Sequence, residues 1–291
     1  MTGTRVLTAL VLIPVVIAIV LFTPAWAVAL STAVITILAL REYFALGDAI
    51  GHRAYRLWTI FSAALLILCQ WFGAHSEAVF FEHGYQGLLR NRFHQAALES
   101  PATVFFLFVL GLTALTLFTR RPLVESLPSA GISSSSFLLV AFPLSFAVRI
   151  DGIPVDGPAL LLFALAITWA ADTTAYFVGR AIGKHPLAPH ISPKKTWEGS
   201  IGSMIGSLIV ACGFSYVIHI SLHHLVLMAV LGNIAGQMGD LLESAYKRSA
   251  GVKDSGALLP GHGGVLDRID ALILCIPVIW YYLVLVSPPI L

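Results

Sequence analysis

The residues best suited to chemistry lie in one stretch, residues 237–270, near the end of the 291-residue chain. Its acidic residues are Asp240, Glu243, Asp254, Asp267 and Asp270, and its basic residues and histidine are Lys247, Arg248, Lys253, Arg268 and His262. Residues 199–239 before this set and 271–291 after it contain no Asp, Glu, Lys or Arg. Because charge between two apolar runs of membrane-spanning length is costly, the pattern predicts a functional site.

The spacing of the acids indicates which chemistry the site could perform. Asp240, Glu243 and Lys247 are three, four and seven residues apart, which puts them on one face of a helix, and Asp267 and Asp270 share a face at the start of the next helix. Hard oxygen ligands suit Mg²⁺, which usually bridges to phosphate oxygens. Nearby cations would hold the rest of a polyphosphate. We therefore predict a pocket for metal and nucleotide phosphate, although Asp267 considered alone could simply cap its helix.

A second polar stretch lies upstream, from Asp172 through the loop at 180–199. Asp172 is about two turns before Arg180, so it is predicted to face a polar cavity in the membrane or to pair with a cation of another helix. The loop is not a Walker A motif, because its glycine spacing is too short and His185 follows Lys184. Lys194 and Lys195 could form an anion clamp with Thr196, or could only set the topology as a positive flank.

The composition limits the protein class. The chain is 58% hydrophobic and 11% charged, far from the balance of a soluble domain, and predicts an all-α polytopic membrane protein. Its net charge of +2 is spread over loops, which gives nucleic-acid binding little support. The three cysteines lie in apolar runs and match no paired metal motif or disulfide framework.

A bilayer core of about 30 Å needs roughly 20 apolar helical residues, and this length divides the chain into about nine spans. The predicted spans are 5–22, 25–40, 57–74, 101–119, 131–148, 158–180, 200–220, 223–245 and 269–287. Residues 1–291 are read as a single membrane domain. Helices one to five with an outer loop at 75–100 occupy residues 1–150, and catalytic helices six to nine with loops 180–199 and 247–268 occupy residues 158–291. The serines at 133–136 are predicted to lie in a loop that enters helix five.

The basic residues predict the orientation. Nine spans place 14 of the 17 Lys and Arg residues on the side of the N-terminus and only Arg90, Arg92 and Arg149 on the other. Because loops rich in Lys and Arg stay in the cytoplasm, the N-terminus and both polar loops are predicted to be cytoplasmic.

Three motifs resemble one known family. The run SAYKRSAGVKDSGALLPGHGGVLDRID at 244–270 is similar to the signature of phosphatidate cytidylyltransferases, also called CDP-diacylglycerol synthases. The upstream SPKKTWEG at 192–199 and DTTAYFVGR at 172–180 resemble two further motifs of that family, in the same order. Tyr246 departs from the pattern, which prefers an aliphatic residue or Phe there. The resemblance covers roughly 165–285, while the first half agrees only in hydropathy.

The resemblance implies transfer of a cytidylyl group from CTP to phosphatidate, with Mg²⁺ as cofactor, in a multi-pass protein of the cytoplasmic (inner) cell membrane. It also suggests a second, monovalent cation and a homodimer. By this resemblance the metal ligands are Asp240, Asp267 and Asp270, and Lys247 and Lys253 join them as catalytic residues. The implied substrate-binding residues are Asp172, Ser192, Lys194, Lys195, Thr196, Glu198, Glu243, Arg248, Asp254, His262, Gly263, Gly264 and Arg268.

Two alternatives come from other classes. Intramembrane carboxylates also occur in cation-coupled transporters, which would need a polar path to the outer face. A magnesium-dependent prenyltransferase would use aspartate-rich motifs, of which only the spacing of Asp267 and Asp270 is present. A CDP-alcohol phosphotransferase is disfavoured because its aspartates are spaced differently.

Overall fold

The computed structural model describes residues 2–83, 88–258 and 263–286, with side chains described at 10–74, 101–258 and 263–286. This part of the chain is almost entirely helical, with one short antiparallel hairpin between the seventh and eighth helices. The helices are α1 Thr2–Phe22, α2 Ala25–Ala49, α3 Arg56–His83, α4 Leu88–Phe118, α5 Ser126–Ser136, α6 Phe142–Asp151, α7 Gly157–Ile182, α8 Trp197–Phe214, α9 Leu222–Ser249 and α10 Leu266–Val286, and the strands are β1 Pro186–Ala188 and β2 Ser192–Thr196.

The helices confirm the prediction of an all-α polytopic membrane protein. Within the described residues, eight segments are long and apolar enough to cross a bilayer, and α1 adds a shorter apolar stretch, Leu10–Phe22. One of the eight is the composite Leu123–Asp151, in which a π-helical segment, Phe137–Ala141, joins α5 to α6. The long charge-free run at 199–239 is divided as predicted, by a turn between Phe214 and Leu222.

Two predicted loops are helical instead. Helices α3 and α4 continue into the stretch predicted as an outer loop, so 75–83 and 88–100 are helical, while 84–87 lie outside the described residues. The serine run at 133–136 belongs to α5. Its hydroxyl groups bond within the helix, Ser133 Oγ to the carbonyl of Ser129 at 2.8 Å and Ser136 Oγ to that of Ser133 at 3.0 Å. These internal bonds let a serine-rich segment stay helical.

Close packing of two helix pairs positions the polar motifs. Helix α7 packs along α8, and α9 packs along α10. A Cβ atom at Gly202 would lie 2.6 Å from the side chain of Val178, and one at Gly206 would lie 2.4 Å from Thr174 Oγ1. Such small residues allow membrane helices to approach closely. The α7–α8 contact thereby brings Asp172 alongside the hairpin that enters α8.

The direction of α9 yields a test of topology. Its 28 residues extend about 42 Å, enough to place exposed Ser221 and Ser249 on opposite sides of a membrane. In a Cys212→Ala background, a membrane-impermeant maleimide should label the Ser221→Cys variant in intact cells and the Ser249→Cys variant only after permeabilisation. Labelling of both variants in intact cells would contradict a spanning α9, and labelling of Ser249→Cys alone would reverse the predicted orientation.

Candidate active site

A cavity of about 390 Å³ lies between α7, α8, α9 and the β-hairpin. It brings together residues from three predicted motifs that are far apart in sequence. Asp172 comes from α7, Asp240 from α9, and Lys194, Lys195 and Thr196 from strand β2. Lys195 Nζ forms an ion pair with the Asp240 carboxylate. Both charge signs therefore reach one cavity.

The hairpin holds the two lysines over the cavity. Strand β2 pairs with β1 in an antiparallel register, with Pro186 opposite Thr196. The Thr196 hydroxyl caps α8 by accepting from the backbone N–H of Gly199 at 3.2 Å. Glu198 fixes the start of the hairpin, since His185 Nδ1 lies 2.6 Å from its Oε1. A rigid hairpin that ends in a helix cap sets the position of Lys194 and Lys195.

Three predicted substrate-binding residues contact the hairpin or its ends and do not line the cavity. Glu198 binds His185, Ser192 lies at the start of β2, and the Arg248 guanidinium donates to the carbonyl oxygens of Ile191 and Val252 at 3.4 and 3.2 Å. These contacts connect α9 to the tip of the hairpin. In the structure, Glu198 and Arg248 position the hairpin.

Asp267 does not join Asp240 and instead belongs to a second, buried cluster. Its Oδ1 accepts from Lys247 Nζ at 2.6 Å, and its Oδ2 accepts from the backbone N–H groups of Gly264 at 2.8 Å and Ser255 at 3.1 Å. Lys247 also lies 2.5 Å from Glu243 Oε2. The cluster of Glu243, Lys247 and Asp267 links α9, α10 and the loop between them.

Asp270 lies on α10 and does not itself line the cavity, although Ala271 beside it does. It experiences the negative charges of Asp240, Glu243 and Asp172, and its Oδ1 accepts from the N–H of Ala271 at 2.7 Å. Asp172 in turn experiences the negative charge of Asp240 and the positive charges of Lys195 and Arg268. Carboxylates that repel one another at one place favour a bound cation.

The predicted metal set is only partly assembled. Over 10–74, 101–258 and 263–286, no group of three or more His, Cys, Asp or Glu side chains converges on one metal position. Asp267 is engaged by Lys247 and two amides, whereas Asp240 and Asp270 remain near each other. Two carboxylates still fit Mg²⁺, which commonly takes one or two of them together with waters and substrate phosphates.

Four further predicted residues lie in the described parts of the segment between α9 and α10. Lys253 and Asp254 are exposed and do not line the cavity. Gly263 adopts a positive φ of 81°, and a Cβ there would lie 2.7 Å from Asp267 Oδ2, so only glycine fits. Gly264 is the amide donor to Asp267. His262 lies outside the described residues.

A scan against family models matches residues 3–286 to the cytidylyltransferase family. The chain belongs to this family. Its relatives include proteins named phosphatidate cytidylyltransferase. One from Staphylococcus haemolyticus is 43% identical over 150 residues, which cover 51% of this chain and 56% of the relative. One from Haemophilus influenzae is 47% identical over 138 residues, which cover 44% of this chain and 47% of the relative. The chain thus spans about half the length of the curated relatives it matches.

Glu42 is a residue of this cytidylyltransferase-family site that the sequence analysis missed. Its carboxylate, on α2, accepts from the backbone N–H groups of Val265 at 2.9 Å and Leu266 at 2.8 Å, and from Ser255 Oγ at 3.0 Å. It caps α10 from more than 200 residues away. No local sequence pattern predicts these contacts. Glu42 lies beside Arg41 just after the predicted span 25–40, where charged residues are expected simply because the span ends there.

A ladder of neutral polar residues on α8 and α9 was also missed. Gln237 Nε2 donates to Asn233 Oδ1 at 2.5 Å and to Ser203 Oγ at 3.0 Å, and Ser200 Oγ donates to Gln237 Oε1 at 2.5 Å. Asn233 Nδ2 continues the ladder to Ser207 Oγ at 2.8 Å. Asn233, Gln237 and Asp240 are spaced four and three residues apart, so the helical period could have revealed this polar face.

The Glu42 contacts yield a prediction of stability. Replacement of Glu42 by Gln removes a charged acceptor and places an amide N–H₂ group against backbone donors. Hydrogen bonds to charged groups contribute about 1.5–3 kcal/mol, so we expect destabilisation of that size. Hydrogen exchange should rise at residues 252–258 and 263–268, and the thermal unfolding temperature in detergent should fall.

The matched control is Glu125→Gln, since the Glu125 carboxylate, within the described part of the chain, pairs with the His52 ring alone, at 3.2–3.3 Å. This control should leave exchange in the α9–α10 loop unchanged. Equal exchange of that loop in wild type and Glu42→Gln would show that Glu42 does not hold it.

Proposed function

We propose that the protein transfers a cytidylyl group from CTP to phosphatidate, giving CDP-diacylglycerol and pyrophosphate. The observation that carries the proposal is the cavity within the membrane-spanning helices, where Asp172 and Asp240 face Lys194 and Lys195. Family membership and the printed names of the relatives support the nucleotide and the lipid. The polar groups suit a phosphorylated substrate, and the surrounding helices suit a lipid.

The reaction is a displacement at phosphorus. A phosphate oxygen of the lipid forms a new bond to the α-phosphorus of CTP, while the bond from that phosphorus to the α–β bridging oxygen breaks. Pyrophosphate leaves with the electron pair of that bond. Because a phosphate monoester is already anionic near neutral pH, the attack needs no strong general base. Catalysis then depends on positioning and on cations that stabilise the spreading negative charge.

The cations of the cavity are assigned to phosphate binding. Lys194 is exposed and without an ion-pair or hydrogen-bond partner among the described residues, so its ammonium group is available to a substrate. Lys195 reaches the same cavity through its pair with Asp240. Arg180 also lines the cavity, and its guanidinium donates to the Tyr176 hydroxyl at 2.9 Å. Arg180 was not among the predicted substrate-binding residues, and we add it to them here.

Mg²⁺ is proposed as the cofactor, with Asp240 and Asp270 as its protein ligands. A bound Mg²⁺ would neutralise charge on the phosphates and orient them. Asp267 enters the proposal as a positioning residue, because its oxygens are already taken by Lys247, Ser255 and Gly264. The second monovalent ion and the homodimer stay predictions. We place the protein in the cell membrane with its cavity open to the cytoplasm, which the distribution of Lys and Arg residues between the loops supports.

The transporter alternative is weakened by the course of the polar ladder. It ends at Ser207 and Asn233, and the next buried residues toward the α8–α9 turn are apolar: Ala211, Leu225, Met228 and Ala229. Ions crossing the membrane would need polar partners along that second half. A polar ladder confined to one half of α8 and α9 favours an enzyme with its site at one membrane face.

Activity tests the proposal directly. Purified full chain in detergent with CTP, phosphatidate and Mg²⁺ should form CDP-diacylglycerol and pyrophosphate in equal amounts. Lys195→Gln should lower kcat/KM about a hundredfold, the typical loss for one group that stabilises transition-state charge. Lys184→Gln is the control, because Lys184 is exposed and does not line the cavity. Absence of both products from a folded preparation would refute the proposed reaction.

A metal titration separates the roles of the aspartates. Binding of Mn²⁺ in place of Mg²⁺, followed by electron paramagnetic resonance with CTP present, should weaken at least tenfold in Asp240→Asn and Asp270→Asn. Asp267→Asn should instead lower the unfolding temperature, because the new amide cannot accept from both Lys247 and the two backbone donors. Unchanged metal affinity in Asp240→Asn, or a loss confined to Asp267→Asn, would contradict the assignment.

A further inference from the structure

A second and larger groove lies between the first turns of α3 and the last turns of α4. Its volume is about 1380 Å³, and none of its lining residues lines the candidate active-site cavity. Small-molecule pockets usually enclose about 300–1,000 Å³. The groove is therefore of a size that suits a large, flexible ligand, and its two ends differ in chemistry.

One end of the groove is cationic. The Arg53 guanidinium has no hydrogen-bond or ion-pair partner within the described part of the chain. Arg121 donates to the carbonyl oxygens of Arg53 and Ala54 and to Ser129 Oγ, at 2.5, 3.2 and 3.0 Å. It also lies 4.6 Å above the Tyr55 ring. All these partners are neutral, so Arg121 is fixed in place while its charge stays uncompensated.

One acidic residue offsets only part of this charge. Arg56 forms an ion pair with Asp48, and both residues line the groove. Three arginines and one aspartate leave a net charge of +2 at this end. An anionic ligand is therefore attracted, and Arg53 is the side chain free to move toward it.

The other end of the groove is apolar and is formed by segments long and apolar enough to cross a membrane. Leu57 is 86% exposed and Phe61 57% exposed on α3, and Ala114 and Leu115 face them from α4. The adjoining segments Arg56–Ala74 and Pro101–Phe118 are both candidate membrane spans. Exposed apolar side chains on such segments contact acyl chains, and arginines at the end of a span lie near the headgroups.

We propose that this groove binds one anionic glycerophospholipid. Arg53 and Arg121 would hold its phosphate, and Leu57 and Phe61 would contact an acyl chain. Free phosphate would satisfy only the cationic end, whereas a phospholipid matches both ends. The site is separate from the cavity of the proposed reaction, so its ligand is a bound lipid of the membrane and need not be a substrate.

Native mass spectrometry of the full chain in detergent tests this with phosphatidylglycerol as the probe. The first phosphatidylglycerol molecule to bind should do so with higher affinity than the first phosphatidylcholine molecule. Arg53→Gln should weaken it about fivefold, the contribution of one cation near a membrane surface. Ala114→Trp should weaken it at least as much by filling the apolar end. The matched controls are Arg41→Gln and Leu117→Trp, which change exposed residues of α2 and α4 outside the groove and should bind normally.

Each outcome decides the proposal. Equal binding of the two lipids by wild type would overturn it, as would wild-type affinity in both groove variants. If inorganic phosphate competes with phosphatidylglycerol and Ala114→Trp binds normally, the groove is an anion site and not a lipid site. Arg53→Gln changes one exposed side chain that has no partner among the described residues, so it keeps the test informative even if the larger tryptophan disturbs folding. The unfolding temperature of each variant checks this.

Discussion

The buried ammonium group of Lys247 is the charge on which the polar region depends. Its side chain is only 11% exposed, within a helix long and apolar enough to cross the membrane. An unpaired charge at such a place is strongly unfavourable, and breaking a buried pair typically costs about 3–5 kcal/mol. Glu243 and Asp267 compensate the charge, so α9 and α10 must stay in register. The same cluster also fixes the loop between these helices, because Asp267 accepts hydrogen bonds from the backbone N–H groups of Ser255 and Gly264.

The N-terminal half of the chain is tied to this cluster through Glu42. Its carboxylate meets the start of α10 and the Ser255 hydroxyl, and Gly264 leaves room for it, since a Cβ there would lie 2.3 Å from Glu42 Oε2. Helix α2 thus contributes to the geometry of a loop that carries most of the recognisable motif. The family motifs recognised in the sequence lie in the second half of the chain, yet the first half supplies a charged partner to the site.

The sequence predicted the elements better than the contacts. Apolar length located the membrane helices, and the break between α8 and α9 followed from one polar interruption. The family resemblance, and not residue spacing, assigned Asp240 and Lys195 to one site. Helical spacing could not predict that Asp267 pairs with Lys247, because the same spacing also allows Asp267 to face Asp240. Glu42 was beyond reach for a different reason, since its partners depend on how distant helices pack. Helical extension of 75–83 and 88–100 was missed because apolar length marks the bilayer and not the end of a helix.

The two groups of paired acidic and basic residues, Lys247 with Glu243 and Asp267 and Lys195 with Asp240, differ in how easily their ion pairs can separate. The Lys247 set is buried, so separating it would leave a charge without water or partner. The pair of Lys195 with Asp240 borders the cavity, and its half-buried side chains, 28% and 27% exposed, are more accessible than those of the Lys247 set. Lys195 can therefore exchange Asp240 for a phosphate, and Asp240 can exchange Lys195 for a cation, at lower cost than separation of the Lys247 set. A rigid buried cluster next to an exchangeable pair is an arrangement that suits binding and release of a charged substrate.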